Sequence, residues 1–515
     1  MTLLLGIDIG TTSVKAGVFD AEGRCLGIVR RDYVLQTPEV DYVELDAENY
    51  WQATCMVVRE VLQQGSINPY QVVGIGVSSQ GETFIPVDAA GNPLHPAIVW
   101  LDNRARQEAQ FLDQKLGRAA YRHTGIPAIN PTWTACKIAW LKNNRPQIYR
   151  STAKFLLVQD FIVHRLTDRF VTEGSIACTS LLYDIVEHDW WQLALEAVGL
   201  KSERLPEIST PGAIAGDLTE WAAGEMGLPL GLPVVLGGMD QAAGAVGAGN
   251  IYPEIVSETT GGALTIQVTL PRPDVDPRER VPVYVHSIPE RYLFVPVCDT
   301  GGMALKWFRD NFYAAETENL ADEKLTEEVD IYDLMTGEAE DISPGSDGLL
   351  MLPHLTGAFS PEYNPYARGV FYGFTLYHRK AHFTRAVLES VAYMLRRNLE
   401  AITQTGVAIK EVRATGGGAA SRLWRQIKAD VCQLPIVTLE NSDTALVGDA
   451  LLAGVAVGVF SSYDQAVAAM VHPADRLEPL PANVPIYEKM YQRYVQLNDV
   501  LDPLFKEHFA AVDNV

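Results

Sequence analysis

Cysteine is scarce in this chain. The six are Cys25, Cys55, Cys136, Cys178, Cys298 and Cys432, and no CxxC occurs. That scatter offers no disulfide framework and no thiolate knuckle, and predicts a reduced, cytoplasmic protein. Positive charge is also short. Lys and Arg total 41 against 64 Asp and Glu, a formal charge of −23. Such a balance disfavours nucleic acid and anionic membrane as partners, yet leaves room for a small anion held by backbone N–H groups. No apolar run reaches spanning length. The longest candidate, Ala445 to Phe460, is broken by Asp449 and by glycines. The first ten residues lack a basic n-region and meet Asp8 after a very short apolar run, so no signal peptide is expected. HExxH, GxSxG and Walker A motifs are missing. His378 and His382 are four apart, but the first falls in a turn, and the pair reads as turn and cap residues.

What is there describes an ordinary globular chain. It has 515 residues, 47% of them hydrophobic and 20% charged. That excludes disorder, collagen and coiled coil, and the length allows roughly two to four domains. Leu3 to Ile9 is a buried-strand run, Gly10 to Ser13 a polar turn, and Val14 to Phe19 a returning strand. Cys25 to Val29 continues the meander. Glu48 to Gln64 has helical spacing, Val72 to Val77 and Thr83 to Val87 read as strands, and Asp102 to Leu116 reads as helix. The arrangement is a mixed sheet covered by helices. A comparable strand–turn–strand unit recurs at Glu254 to Val268, followed by helical stretches at Met303 to Phe312 and His382 to Thr403. We read a structural duplication with its boundary near 245–253. Pro271 to Arg280 reads as an exposed loop, and the acidic stretch Glu316 to Asp341 as a solvated helical face.

Five constellations carry candidate chemistry. In the first, Asp8 ends a strand before the turn Gly10-Thr11-Thr12-Ser13, with Lys15 beyond it. Backbone N–H groups and hydroxyls there suit an oxyanion, and Asp8 suits a hydrated Mg²⁺. An ordinary hairpin uses the same residue types. The second, Thr259-Thr260-Gly261-Gly262, repeats the design, so that two such turns read as two phosphate clamps for one nucleotide. The third, Thr415 to Ser421, has Gly416, Gly417 and Gly418 between strand and helix. With Glu440 downstream it also resembles a degenerate Rossmann fingerprint, which keeps a nicotinamide-dependent dehydrogenase open as a rival. In the fourth, Asp240 and Gln241 follow a strand and open a small-residue helix; a plain N-cap is the competing reading for Asp240. The fifth joins Gln80, Gly81 and Glu82 to Trp100, Asp102 and Arg104. Carboxylates and amides bond hydroxyls and an indole covers C–H faces, but these residues alone do not identify a sugar.

Taken in order, these segments resemble the FGGY carbohydrate kinases of the actin/hexokinase-like ATPase superfamily. GIDIGTTSVKAGVFD, AIVWLDNRA, TACKIAWLKNN, GGMDQAAGAVGAG, LTGAFSPEYNPYARGVFYGFT and ATGGGAASRLWRQIKADV carry the resemblance across almost the whole chain. It implies an α/β fold of two RNase H-like domains, 1–250 and 251–515, with mixed sheets flanked by helices and a deep cleft between them. It implies ATP and Mg²⁺, with Asp240 as the general base and Asp8 at the metal. Thr11, Thr12, Lys15, Thr259 and Gly261 would hold phosphates, and Gly302, Gly417, Gly418 and Ser421 the nucleoside. Gln80, Gly81, Glu82, Asp102, Trp133 and Gln241 would line the sugar site. Xylulokinases usually carry Met-His-Gly where Gly81-Glu82-Thr83 stands; glycerol kinases carry Arg-Glu-Thr. Glycine in place of arginine is expected to leave room for a longer sugar, so a ketopentose such as xylulose comes first and glycerol or another short polyol second. A non-catalytic sugar sensor on the same fold is disfavoured by the intact clamps. Family members are often dimers, so the resemblance also implies a homodimer.

Overall fold

Every residue of the strand Leu3–Ile9 is buried, which places it inside a sheet covered on both faces. The computed structural model describes residues 2–273, 279, 281–314, 316 and 330–512. They form two units. Unit 1 comprises Met1–Tyr252, Thr269–Phe294 and Asp443–His472; unit 2 comprises Pro253–Val268, Val295–Ser442 and Pro473–Val515.

The main sheet of unit 1 has six strands in the order Ile214–Asp217, Pro233–Met239, Val72–Ser79, Leu3–Ile9, Ser13–Asp20, Cys25–Asp32. The last three form an antiparallel meander. Leu3–Ile9, Val72–Ser79 and Pro233–Met239 are mutually parallel, with Ile9 opposite Ser79 and Ser79 opposite Met239. The residues that follow these strands, Gly10, Gln80 and Asp240, therefore emerge together at one end of the sheet. The helix Ala47–Gln64 covers the meander, its first turn capped by the Asp46 carboxylate. Leu3, Leu5, Ile7, Val14, Val57, Val58, Val61, Val77 and Leu236 belong to one continuous core.

The helix Thr444–Ala456 packs on the three parallel strands of unit 1. It comes so close that side chains beneath it are excluded. A Cβ at Gly76 would lie 2.1 Å from Asp449 O, and one at Gly237 would lie 2.1 Å from Asp449 Oδ1.

In unit 2, Leu264–Leu270 and Ile255–Thr260 pair antiparallel, and Ile255–Thr260, Glu411–Thr415 and Ile436–Leu439 run parallel. Pro473–Leu477 closes one edge. This is the same plan as in unit 1, a meander followed by parallel strands, as the recurrence in the sequence led us to expect. The long helix Lys380–Thr403 and the helix Arg422–Cys432 pack together over it.

Two local expectations shift. The helix expected from Asp102 begins at Arg106, because Asp102 folds its carboxylate onto Arg104 N–H and side chain instead of continuing a helix. Of the expected acidic helical face, 317–329 lies outside the described residues, as do 274–278 and 280 of the expected loop. The described part, Ile331–Glu340, is helical with Met335 and Ala339 buried and Glu338 and Glu340 on its more open side.

Candidate active site

Asp240 opens the helix Asp240–Gly247 but does not cap it; the N-cap position belongs to Met239. Its Oδ1 accepts the Gln241 N–H at 2.6 Å. Burial, then the Asp8 carboxylate, push the Asp240 carboxyl up to about 8, with Glu82 adding in the same direction. Asp8 is itself pushed up to about 6 by burial, against the pull of Lys15. Three carboxylates thus gather at the C-terminal ends of the parallel strands of unit 1. Crowded acids in a low-dielectric site bind protons tightly.

Asp449, which the sequence reading passed over as a break in an apolar run, is a fourth. It is fully buried and accepts the Ser78 hydroxyl at 2.8 Å. Burial and Asp8 push its carboxyl well above the usual range. The only signal in the sequence was a charged residue inside an otherwise apolar helix.

The turn after Leu3–Ile9 is held tightly. Gly10 N–H donates to Ser13 O at 2.9 Å, and Gly10 O accepts from the Tyr33 hydroxyl and from Gln80 Nε2. The N–H groups of Thr11 and Thr12 have no acceptor among the described residues, so they remain open to an anion. Lys15 is not free: its Nζ pairs with Asp443 at 2.5 Å. The Asp8 Oδ1 is buried without a partner. A partnerless buried carboxylate oxygen beside an anion-binding turn fits a hydrated divalent cation. Among the described residues no group of three or more His, Cys, Asp and Glu is arranged to hold a metal directly.

The residues expected at the sugar divide into two sets. Glu82 reaches the Asp240 side of the site: its carboxyl is pushed up by burial and pulled down by Lys137, and it contributes to the shift at Asp240. Trp100 is part-exposed and its Nε1 donates to Thr11 Oγ1 at 2.8 Å. Asp102, by contrast, is fully buried and its carboxylate is consumed, taking Val43 N–H at 2.6 Å and the Arg104 guanidinium at 2.7 Å. Arg104 also pairs with Glu44 and lies on the rings of Tyr42 and Trp140. Gln80 is spent on Gly10 O, Tyr50 and Thr83. Trp133 is buried, with its Nε1 on Ala128 O. Asp102, Gln80 and Trp133 therefore shape the walls, and sequence spacing alone could not show that their polar atoms were taken.

In unit 2, the loops at the ends of Ile255–Thr260 and Glu411–Thr415 converge. Thr259 and Thr415 share a hydroxyl–hydroxyl hydrogen bond of 2.8 Å. Gly302 N–H donates to Gly261 O at 2.8 Å, joining the first turn to the start of the helix Gly302–Phe312. The N–H of Gly262 has no acceptor among the described residues. Behind the turn, Lys428 and Glu258 form a fully buried pair at 2.6 Å, and Lys428 also donates to Thr260 Oγ1. Gly417 and Gly418 lie in a short 3-10 turn, and Ser421 caps the helix Arg422–Cys432 by accepting Trp424 N–H. The helix N-terminus is thus closed by serine rather than presented across the glycines, and Glu440 is exposed beyond its strand.

Comparison with known proteins agrees. The chain matches the FGGY family of carbohydrate kinases, N-terminal domain, over residues 3–247, and the C-terminal domain of the same family over 256–457. The chain belongs to the FGGY family of carbohydrate kinases. It is therefore a phosphotransferase acting on a carbohydrate, and the dehydrogenase reading is withdrawn. A gluconokinase of Bacillus subtilis (strain 168) is 31% identical over 502 residues, covering 97% of this chain and 96% of that one. A xylulose kinase of Staphylococcus xylosus is 27% identical over 97% of this chain and 100% of its own length. Among solved structures, a xylulose kinase from Rhodospirillum rubrum superposes with a TM-score of 0.88 at 27% identity, over 98% of this chain and all of that one. The fold is the two-domain mixed α/β fold of these FGGY sugar kinases, actin/hexokinase-like in class. The relatives' names differ in the sugar. Among the described residues no helix is long and apolar enough to cross a membrane.

Proposed function

We propose that this kinase transfers the γ-phosphoryl group of ATP to a terminal hydroxyl of a small neutral sugar, a ketopentose such as xylulose first. The observation that carries the mechanism is Asp240, at a strand end, pushed up to about 8 beside Asp8 and Glu82. Its carboxylate takes the hydroxyl proton as that oxygen forms its bond to the γ-phosphorus, and the bond to the β–γ bridging oxygen breaks. Thr11 and Thr12, and likewise Thr259, Gly261 and Gly262, offer N–H groups and hydroxyls to phosphate, and Lys15 adds charge despite its pairing with Asp443. Gly302, Gly417, Gly418 and Ser421 border the nucleoside. Asp8 would hold Mg²⁺ through water, and the ion when bound neutralises phosphate charge. Glu82, Gly81 and Gln241 border the sugar. A cytoplasmic location is part of the same reading, supported by six unpaired cysteines.

Charge supports a neutral substrate over an aldonate. Asp8, Glu82 and Asp240 gather at the site, while Arg104 is taken by Asp102 and Glu44, and Lys137 faces Glu82 and Asp102. A substrate carboxylate added there would find these cations already engaged by the protein's own carboxylates. The test is ADP release in Mg·ATP against xylulose, ribulose, glycerol, erythritol and gluconate. Turnover of a ketopentose that disappears in Asp240→Asn is expected. Preferential turnover of gluconate would overturn the substrate reading, and of glycerol would replace it with the polyol alternative.

A further inference from the structure

Gly81 lacks a side chain, yet the space beside its Cα is filled. An ideal Cβ there would stand 2.9 Å from Thr179 Cγ2 and 3.1 Å from Thr179 Oγ1. The expectation that glycine at 81 simply enlarges the sugar pocket is thereby revised, because another residue has moved into the volume. Thr179 is fully buried, in the short 3-10 turn Cys178–Ser180. Its hydroxyl works in both directions. It donates to Ile176 O at 2.8 Å and accepts the Glu82 N–H at 3.1 Å.

Glu82 is the strained residue of the segment. Its φ is 54°, and Thr83 N–H closes on Gly81 O at 2.5 Å, a three-residue turn with Glu82 at its centre. Non-glycine residues hold such a conformation only where the surroundings over-determine it. Here they do. Thr179 takes the N–H of Glu82, Thr134 Oγ1 donates to its C=O at 2.8 Å, and the next residue, Thr83, is tied to Gln80 and to Trp100 N–H. The Glu82 carboxylate takes no hydrogen bond from the described residues, and the charge that faces it is Lys137. A backbone fixed at every polar atom, ending in a carboxylate left for something else, is the arrangement of a ligand clamp.

We infer that Thr179 is a positioning residue that sets sugar recognition: its side chain takes the volume a residue at 81 would occupy, and its hydroxyl fixes the Glu82 turn so that the carboxylate meets a substrate hydroxyl. The inference rests on Glu82 as a sugar ligand. It has two separable parts, a hydrogen bond and a steric fit. Thr179→Val keeps the shape and removes the hydroxyl. Thr179→Ser keeps the hydroxyl and removes Cγ2, the atom nearest the vacant Cβ position at 81.

The experiment measures KM for sugar and for ATP, and kcat, in Thr179→Val, Thr179→Ser, Gly81→Ala, the double variant Gly81→Ala/Thr179→Ser, and Glu82→Gln, with thermal melts to establish folding. Thr179→Val is expected to raise the sugar KM roughly 10-fold, the scale of one positioning hydrogen bond, with the ATP KM unchanged. Thr179→Ser should stay within about 2-fold. Gly81→Ala should raise the sugar KM, and Thr179→Ser in the same chain should restore most of it, a coupling that independent sites do not show. If Glu82→Gln impairs sugar binding while Thr179→Val does not, the inference falls and the Glu82 reading stands. If Glu82→Gln leaves the sugar KM unchanged, both fall. Should Thr179→Val fail to fold, absence of rescue in the double variant overturns the steric part and with it the inference.

Discussion

The Ser78 hydroxyl donates to the Asp449 carboxylate at 2.8 Å across 371 positions of sequence. Ser78 is also the parallel-ladder partner of Asp8. A helix from late in the chain therefore braces the strand end that presents Asp8. The close approach at Gly76 and Gly237 makes the contact possible, since side chains there would strike Asp449.

Burial, and then the Asp8 carboxylate, push the Asp449 carboxyl well above its usual range. Asp449→Asn, which keeps the shape and an acceptor for Ser78, should retain near-normal stability. Asp449→Ala strands the buried Ser78 hydroxyl and should cost ~1–3 kcal/mol in urea unfolding. Equal losses in the two variants would show that the negative charge, not the hydrogen bond, is what matters there.

Asp240→Asn removes the proton acceptor with little change of shape. The kcat should fall by roughly 10²–10⁴, the usual contribution of a positioned base. Sugar binding followed by calorimetry should persist. A variant with near-normal kcat would dismiss Asp240 as the base.

The pH dependence follows from the same carboxyl. Its value rises from 3.8 to about 8 on folding. The base form of the free enzyme therefore grows with pH, and kcat/KM for sugar should climb from pH 6 through about 8. Stability runs the other way: a raised carboxyl contributes fully below 3.8, and the contribution is lost as pH rises through about 8. Asp8, at about 6, adds loss in the lower part of that window. The Tm of the free protein should fall between pH 5 and 8, and less steeply in Asp240→Asn. A slope unaltered by the substitution would assign the effect to other groups.

In unit 2 the Lys428–Glu258 pair is fully buried on both sides. Lys428→Met leaves Glu258 as an uncompensated buried charge and should cost ~3–5 kcal/mol, whereas Lys428→Met with Glu258→Leu should recover most of it. Because the pair also holds Thr260, the single variant should raise the KM for ATP without altering that for sugar. A rise in the sugar KM instead would place the Thr259–Gly262 turn elsewhere in function.

Strand Leu3–Ile9, the turn at Thr11 and Thr12, Asp240 at its strand end and the recurrence of the motif at Thr259 and Gly261 were all legible in the sequence. Each depends on local rules: an apolar run makes a buried strand, Gly and Thr make a turn, and a parallel strand ends where polar residues begin. Which polar atoms stay available depends on neighbours that no local pattern names. Lys15 reads as an unpaired cation until Asp443 is found beside it, Asp102 as an open carboxylate until Arg104 and Val43 claim it, and Ser421 as an open hydroxyl until it is seen to cap its helix. Only the tertiary structure returned residues 443–472 to unit 1, set Asp449 beneath Ser78, and put Thr179 where a side chain at 81 would have been. Periodicity and turn chemistry are properties of neighbouring residues in the chain, whereas burial, pairing and close approach arise only when distant segments pack.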